Sequence, residues 1–178
     1  MHKRLIFSFF FSFCLWASLA SAASDFDEDN AEKAWQIAET QLEIPLPSYP
    51  KAENLQSFFV SAQTDNQFMV DRESITIGVD GVVRYTLVVT SPSGAQNVSY
   101  EGMRCSSAER RLYAFGHPDK TWSKARSTQW VRISNSALNR QHAALYFEYF
   151  CPNGLIVGKA DEARQALRFG GHSPIKSR

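Results

Sequence analysis

The sequence is short of the residues that metal and nucleophile chemistry need. Its 178 residues hold three cysteines and four histidines. His117, His142 and His172 lie too far apart along the chain to make a metal-ligand spacing. There is no Cys-x-x-Cys, no His-Glu-x-x-His, no Gly-x-Ser-x-Gly and no glycine-rich phosphate loop. The expectation is therefore no cofactor and no metal. An excess of one charge is also missing, with 19 Lys and Arg against 18 Asp and Glu. A nucleic-acid binder needs a basic surface to neutralise phosphate, so nucleic acid is not an expected partner.

Long apolar runs are confined to the first residues. Lys3 and Arg4 precede an uncharged stretch from Leu5 to Leu19, and Ala20-Ser21-Ala22 has the small-x-small form of a signal-peptidase site. An apolar run of about 15 residues is short for a bilayer span, which needs about 20. The expectation is a signal peptide over 1–22, cut after Ala22 with Ala23 as the alternative, and no transmembrane segment in the mature chain. That places the protein in the periplasm. The mature part, 23–178, is long enough for one domain with a proper core, ordered over about 30–170. Its net charge is −1 once Lys3 and Arg4 are gone.

Removal of Cys14 with the leader leaves Cys105 and Cys151. An even pair in an oxidising compartment is expected to bond, closing a loop of about 46 residues. The alternative, a catalytic thiol, requires an activated cysteine without a nearby partner.

Local patterns then suggest an α+β fold. Asp29 to Gln41 reads as a helix, with Trp35, Ala38 and Leu42 on one face. Pro45, Pro47 and Pro50 force an extended strap across the domain. Strands are expected over Leu55–Ala62, Phe68–Asp71, Ser74–Val79, Val82–Thr90, Asn97–Cys105 and Arg111–Gly116, with a hairpin at Asp80-Gly81. Turns this tight imply antiparallel pairing. Leu138, His142, Leu145 and Tyr149 have helical spacing, although 145–150 is also good strand chemistry. Asp161 is the expected cap of a last helix and Gly170 its C-terminal glycine. The expected architecture is an antiparallel β-meander of about five strands, with N- and C-terminal helices packed on one face and the other face exposed.

The strings Asp80-Gly81-Val82-Val83-Arg84-Tyr85-Thr86-Leu87-Val88, Asn97-Val98-Ser99-Tyr100-Glu101-Gly102-Met103-Arg104-Cys105 and Tyr149-Phe150-Cys151-Pro152 resemble the cryptic-neisserial-protein-like family of exported proteobacterial proteins. The resemblance runs from about Trp35 to Gly171. It implies an envelope location and a single domain, and brings no catalytic residues with it.

Candidate site residues come from charges inside strands. If Ser93-Gly94 is a two-residue turn, Arg84 faces Met103 and Thr86 faces Glu101, so Arg84 and Glu101 lie diagonally on one face. The plain reading is a cross-strand ion pair. The functional reading is a ligand-binding patch of Arg84, Thr86, Ser99 and Glu101, with Arg104 a further candidate that strand alternation puts on the opposite face from Glu101. A hydrolase or transferase built on Glu101, Arg84 and a histidine would need Glu101 within about 3 Å, or one bridging water, of His117 or His142 in a concave pocket. It would also need burial to raise the Glu101 pKa. Gly102 marks a bulge or a close backbone approach. Trp122, Trp130 and Tyr113 are candidates for a sugar-binding face or for core. The sequence favours a non-catalytic binding or assembly module for an envelope protein or cell-wall partner.

Overall fold

The computed structural model describes residues 44–127, 129–136 and 140–172. The leader and the Asp29–Gln41 helix lie outside the described residues. A seven-stranded antiparallel sheet forms the centre: β1 (Leu55–Ser57), β2 (Gln67–Ile77), β3 (Val82–Thr90), β4 (Gln96–Arg104), β5 (Glu109–Gly116), β6 (Trp122–Lys124) and β7 (Val131–Arg132). Strands β1 to β6 are neighbours in chain order, and β7 pairs with β5 as well. Strands β6 and β7 fall in a segment the sequence pattern leaves unassigned, because each is only a few residues long. The first strand stops at Ser57, well short of Ala62, because the Phe59 N–H turns to the Tyr149 hydroxyl instead of to a strand.

Hairpin geometry decides the register. Three connections share one form: three loop residues with the last in the left-handed region. They are closed by Gly78 N–H to Val82 O at 3.0 Å, Ser91 N–H to Ala95 O at 2.9 Å, and His117 N–H to Thr121 O at 2.9 Å. The left-handed positions are Gly81, Gly94 and Lys120. This is the three-residue hairpin with a bulge glycine, except that the third uses lysine. Pro92-Ser93-Gly94 therefore makes a three-residue loop rather than the expected two, and Arg84 pairs with Gly102 while Tyr85 pairs with Glu101.

The β2–β3 ladder shifts register between Asp71 and Thr76. Side chains repair the gap. Ser74 Oγ donates to Asp71 O at 2.7 Å and accepts the Thr86 N–H at 2.8 Å. Arg164 donates to Arg72 O at 2.8 Å, tying the last helix to the interrupted strand.

Among the described residues two helices cover the sheet. The first, α1, runs Arg140–Ala144 and widens into a π turn over Leu145–Phe150, marked by the Cys151 N–H reaching back to Tyr146 O at 2.9 Å. Helix wins over strand here. Leu145, Tyr146, Tyr149 and Phe150 point into the core, and Phe147 and Glu148 point out. The second, α2 (Ala160–Phe169), buries Ala163, Ala166 and Leu167 and ends at Gly170 with φ 77°. Asp161 is not its cap. The chain stays extended through Lys159, Asp161 sits in the first turn bonded to Arg164, and Glu162 reaches back to the Gly158 N–H at 2.8 Å.

Val83, Tyr85, Leu87 and Met103 form the core with these helices, the tilted rings of Tyr85 and Phe150 lying with centroids 5.0 Å apart. The other sheet face is not exposed as expected. Val82, Arg84, Thr86, Val88, Tyr100 and Arg104 are buried there. Tyr113, Trp122 and the proline strap lie against it, with Tyr49 and Trp122 5.6 Å apart and the Trp122 indole N–H on Pro47 O at 3.1 Å.

Cys105 and Cys151 form a disulfide, joining the end of β4 to the end of α1. Closing a separation of 46 residues removes about 4 kcal/mol worth of unfolded-chain entropy. The Cys105→Ser, Cys151→Ser double variant is expected to lose stability of that order, read as a lower urea midpoint with a slope no shallower than wild type's, since the unfolded chain without the crosslink is less compact.

Candidate functional site

The three-residue turn separates the expected patch. Cross-strand partners share a face and neighbours alternate. Ser99 and Glu101 point to the helix side with Tyr85. Arg84, Thr86 and Arg104 point to the opposite side with Gly102. The Arg84–Glu101 pairing does not form, because one residue of register reverses every side chain of the strand.

On the helix side Glu101 has partners from three elements. Its Oε2 accepts from His142 Nε2 at 2.8 Å and from the Tyr85 hydroxyl at 3.2 Å, and its Oε1 accepts from Ser99 Oγ at 2.7 Å. Glu101 and His142 are each 4% exposed. Burial alone would raise the carboxyl pKa. The His142 imidazole, the Ser99 hydroxyl and the Arg110 charge outweigh it and hold Glu101 down at about 2. An ionised carboxylate only accepts, so His142 Nε2 carries the hydrogen. His142 Nδ1 is buried with no hydrogen-bond partner among the described residues. Burial and the adjacent Glu101 push the Tyr85 phenol well up, so it stays protonated and donates.

The distance asked of a Glu–His dyad is thus met by His142, while the raised pKa asked of a general acid is not. This dyad holds α1 to β4. His117 is exposed on the β5–β6 loop, bonded to Ser123 Oγ at 2.8 Å.

On the other side Arg84 makes a two-pronged pair with Asp80 of the β2–β3 turn, with Nη1 to Oδ1 at 2.9 Å and Nη2 to Oδ2. Burial would raise Asp80, but Arg84 outweighs it and holds the carboxyl below its ordinary range. Tyr113 is the extra residue of a bulge on β5, opposite the Tyr100–Glu101 step. Its ring lies between two guanidiniums, Arg84 at 5.7 Å and Arg111 at 5.4 Å. A β-carbon on Gly102 would sit 2.5 Å from the Tyr113 hydroxyl, which explains the glycine in mid-strand. Arg104 lies over Trp130 at 4.3 Å and pairs with Glu109 at 3.6 Å. Of the three aromatics, Trp122 packs on Tyr49 and Tyr100, Trp130 under Arg104, and Tyr113 between arginines.

Sequence reasoning missed a third feature. A groove of about 510 Å³ opens between the 58–66 connection and the outer side of α1. Phe59 and Phe147, 71% and 58% exposed, both line it. Arg140, Ala143, Ala144, Glu148 and Tyr149 complete the α1 side. Neither Glu101 nor His142 lines it. The signal was available in part: Phe147-Glu148 breaks the inward spacing of Leu145 and Tyr149. Among the described residues no group of three or more His, Cys, Asp or Glu could hold a metal, and no helix is long and apolar enough to cross a membrane.

An antiparallel meander with two C-terminal helices, the first locked on by a disulfide and a buried Glu–His pair, defines the class of domain. The chain belongs to the CNP1-like family, whose sequence pattern matches residues 30–168. Comparison with curated proteins and with solved structures gave no match.

Two outcomes are expected. Because the folded Glu101 pKa lies below its ordinary 4.5, its contribution is present above about pH 4.5 and is lost as pH falls towards about 2. Its size is about 3 kcal/mol. Glu101→Gln should give a shallower loss of stability across that window than wild type, measured as urea midpoint against pH. Gly102→Ala should cost about 1–3 kcal/mol through overpacking against Tyr113. In a Tyr113→Ala background most of that cost should disappear, a coupling read from a double-mutant cycle.

Proposed function

We propose that this domain is an exported, non-catalytic binding module of the bacterial envelope, and that its contact surface is the aromatic-rimmed groove beside α1. The observation that carries this reading is the placement of Phe59 and Phe147, two large apolar side chains more than half exposed on the rim of one groove. Exposing two phenylalanines together has a solvation cost that burial against a partner would recover. The groove is open and lacks the buried Glu–His pair, while the Arg84 named for a hydrolase faces the other side of the sheet. Export is supported by the hydrophobic leader, which ends in a peptidase-like site, and by a buried disulfide of the kind that persists in oxidising compartments.

In cells, a photo-crosslinking amino acid in place of Phe147 should yield a discrete adduct, and the same group in place of the fully exposed Val79 should not. Equal labelling from both positions, or no adduct from position 147, would remove the reading.

A further inference from the structure

The groove carries one charge arrangement that its apolar rim does not explain. Arg140, at the start of α1, lines it. Its Nη1 donates to Ser61 Oγ at 3.0 Å and to Gln63 Oε1 at 2.8 Å, both neutral acceptors. Among the described residues no carboxylate lies within ion-pair distance of Arg140, and its Nε and Nη2 bond no protein acceptor. A guanidinium has five N–H donors in a rigid fork. The Nη1 pair is spent on holding the 58–66 connection, while among the described residues the Nε–Nη2 side meets no acceptor. That side is one of the two on which a guanidinium seats a carboxylate through parallel hydrogen bonds.

We infer that the groove receives an extended peptide segment of a partner protein, with apolar side chains against Phe59 and Phe147 and one carboxylate on Arg140. The inference rests on the binding-module reading and adds the chemistry of the partner. Three features select a peptide. The walls combine phenylalanine rings with the Ser61 hydroxyl and the Gln63 and Asn135 amides. An acyl chain would desolvate those polar groups without replacing their hydrogen bonds, whereas a peptide backbone supplies donors and acceptors. Glu148 lines the same groove, so a polyanion meets repulsion beside the single cation while one carboxylate is accommodated at Arg140. The volume of about 510 Å³ falls in the range that holds a few side chains.

The test uses the purified full protein and a displayed random-peptide library as the probe. Selected peptides should share an Asp or Glu beside apolar residues. By fluorescence anisotropy, replacing that acid with its amide should weaken binding about tenfold or more, in the range of a lost charge-assisted pair. Arg140→Gln should weaken the acidic peptide comparably and leave the amide peptide unchanged. The amide peptide needs no protein variant, so it answers the question even if Arg140→Gln disturbs the 58–66 connection. No selection above bare support, selection without an acidic position, or equal affinity of acid and amide peptides would overturn the inference. Peptides selected without an acid but lost in Phe147→Ala would overturn the carboxylate alone and leave the binding module standing. Absence of both peptide binding and the position-147 adduct would end both.

Discussion

The turn between β3 and β4 is the constraint on which the rest of the structure depends. Three residues, Pro92 to Gly94, set the pairing of the two central strands. Because side chains alternate across a strand, that count decides which polar residues face the helices. Glu101 goes inward and Arg84 goes to the other side. Each is then a charge in a buried layer and must find a partner there. Glu101 finds His142 on α1, and Arg84 finds Asp80 in the adjacent turn. Both faces of the sheet thus acquire a core, one aliphatic and aromatic under helices, the other built from tyrosines, tryptophans and arginines.

The attachment of α1 explains how the surface can present exposed phenylalanine. The helix is held to β4 at two places, by His142 on Glu101 and by the Cys105–Cys151 bond. Tyr146 adds a hydrogen bond to Cys105 O at 3.0 Å. With its inner side fastened by covalent, hydrogen-bond and packing contacts, the outer side contributes little to holding the fold. Phe147 and Glu148 are free to serve another purpose. A buried carboxylate is costly to leave without its hydrogen-bond partner. Moving α1 away from β4 would leave Glu101 buried without His142.

Much of the architecture was legible from local signals. Strand Val82–Thr90, the strap with its prolines, the helix over 140–150, the Gly170 stop and the disulfide all follow from period, turn chemistry and cysteine count. The site was less legible because it depended on one integer. Ser93-Gly94 and Pro92-Ser93-Gly94 are both sound turns, and only the hydrogen bond from Ser91 to Ala95 distinguishes them. With the shorter turn Arg84 and Glu101 belong together; with the longer one they never meet. The second core was hidden for a related reason. Arginine and tyrosine in alternating positions read as a wet face, and only the burial of Arg84 and Arg111 beside the Tyr113 ring shows them packed. The groove has no local signature, since it joins the 58–66 connection to a helix some eighty residues away.

The disulfide also encloses β5, β6, β7 and α1 in a single covalent ring running from Cys105 to Cys151. A protease that nicks the backbone anywhere inside that ring releases no fragment. The severed ends stay tethered through sulfur, the strands on either side remain poised to re-pair, and a partner engaged at Phe147 stays attached to the rest of the molecule.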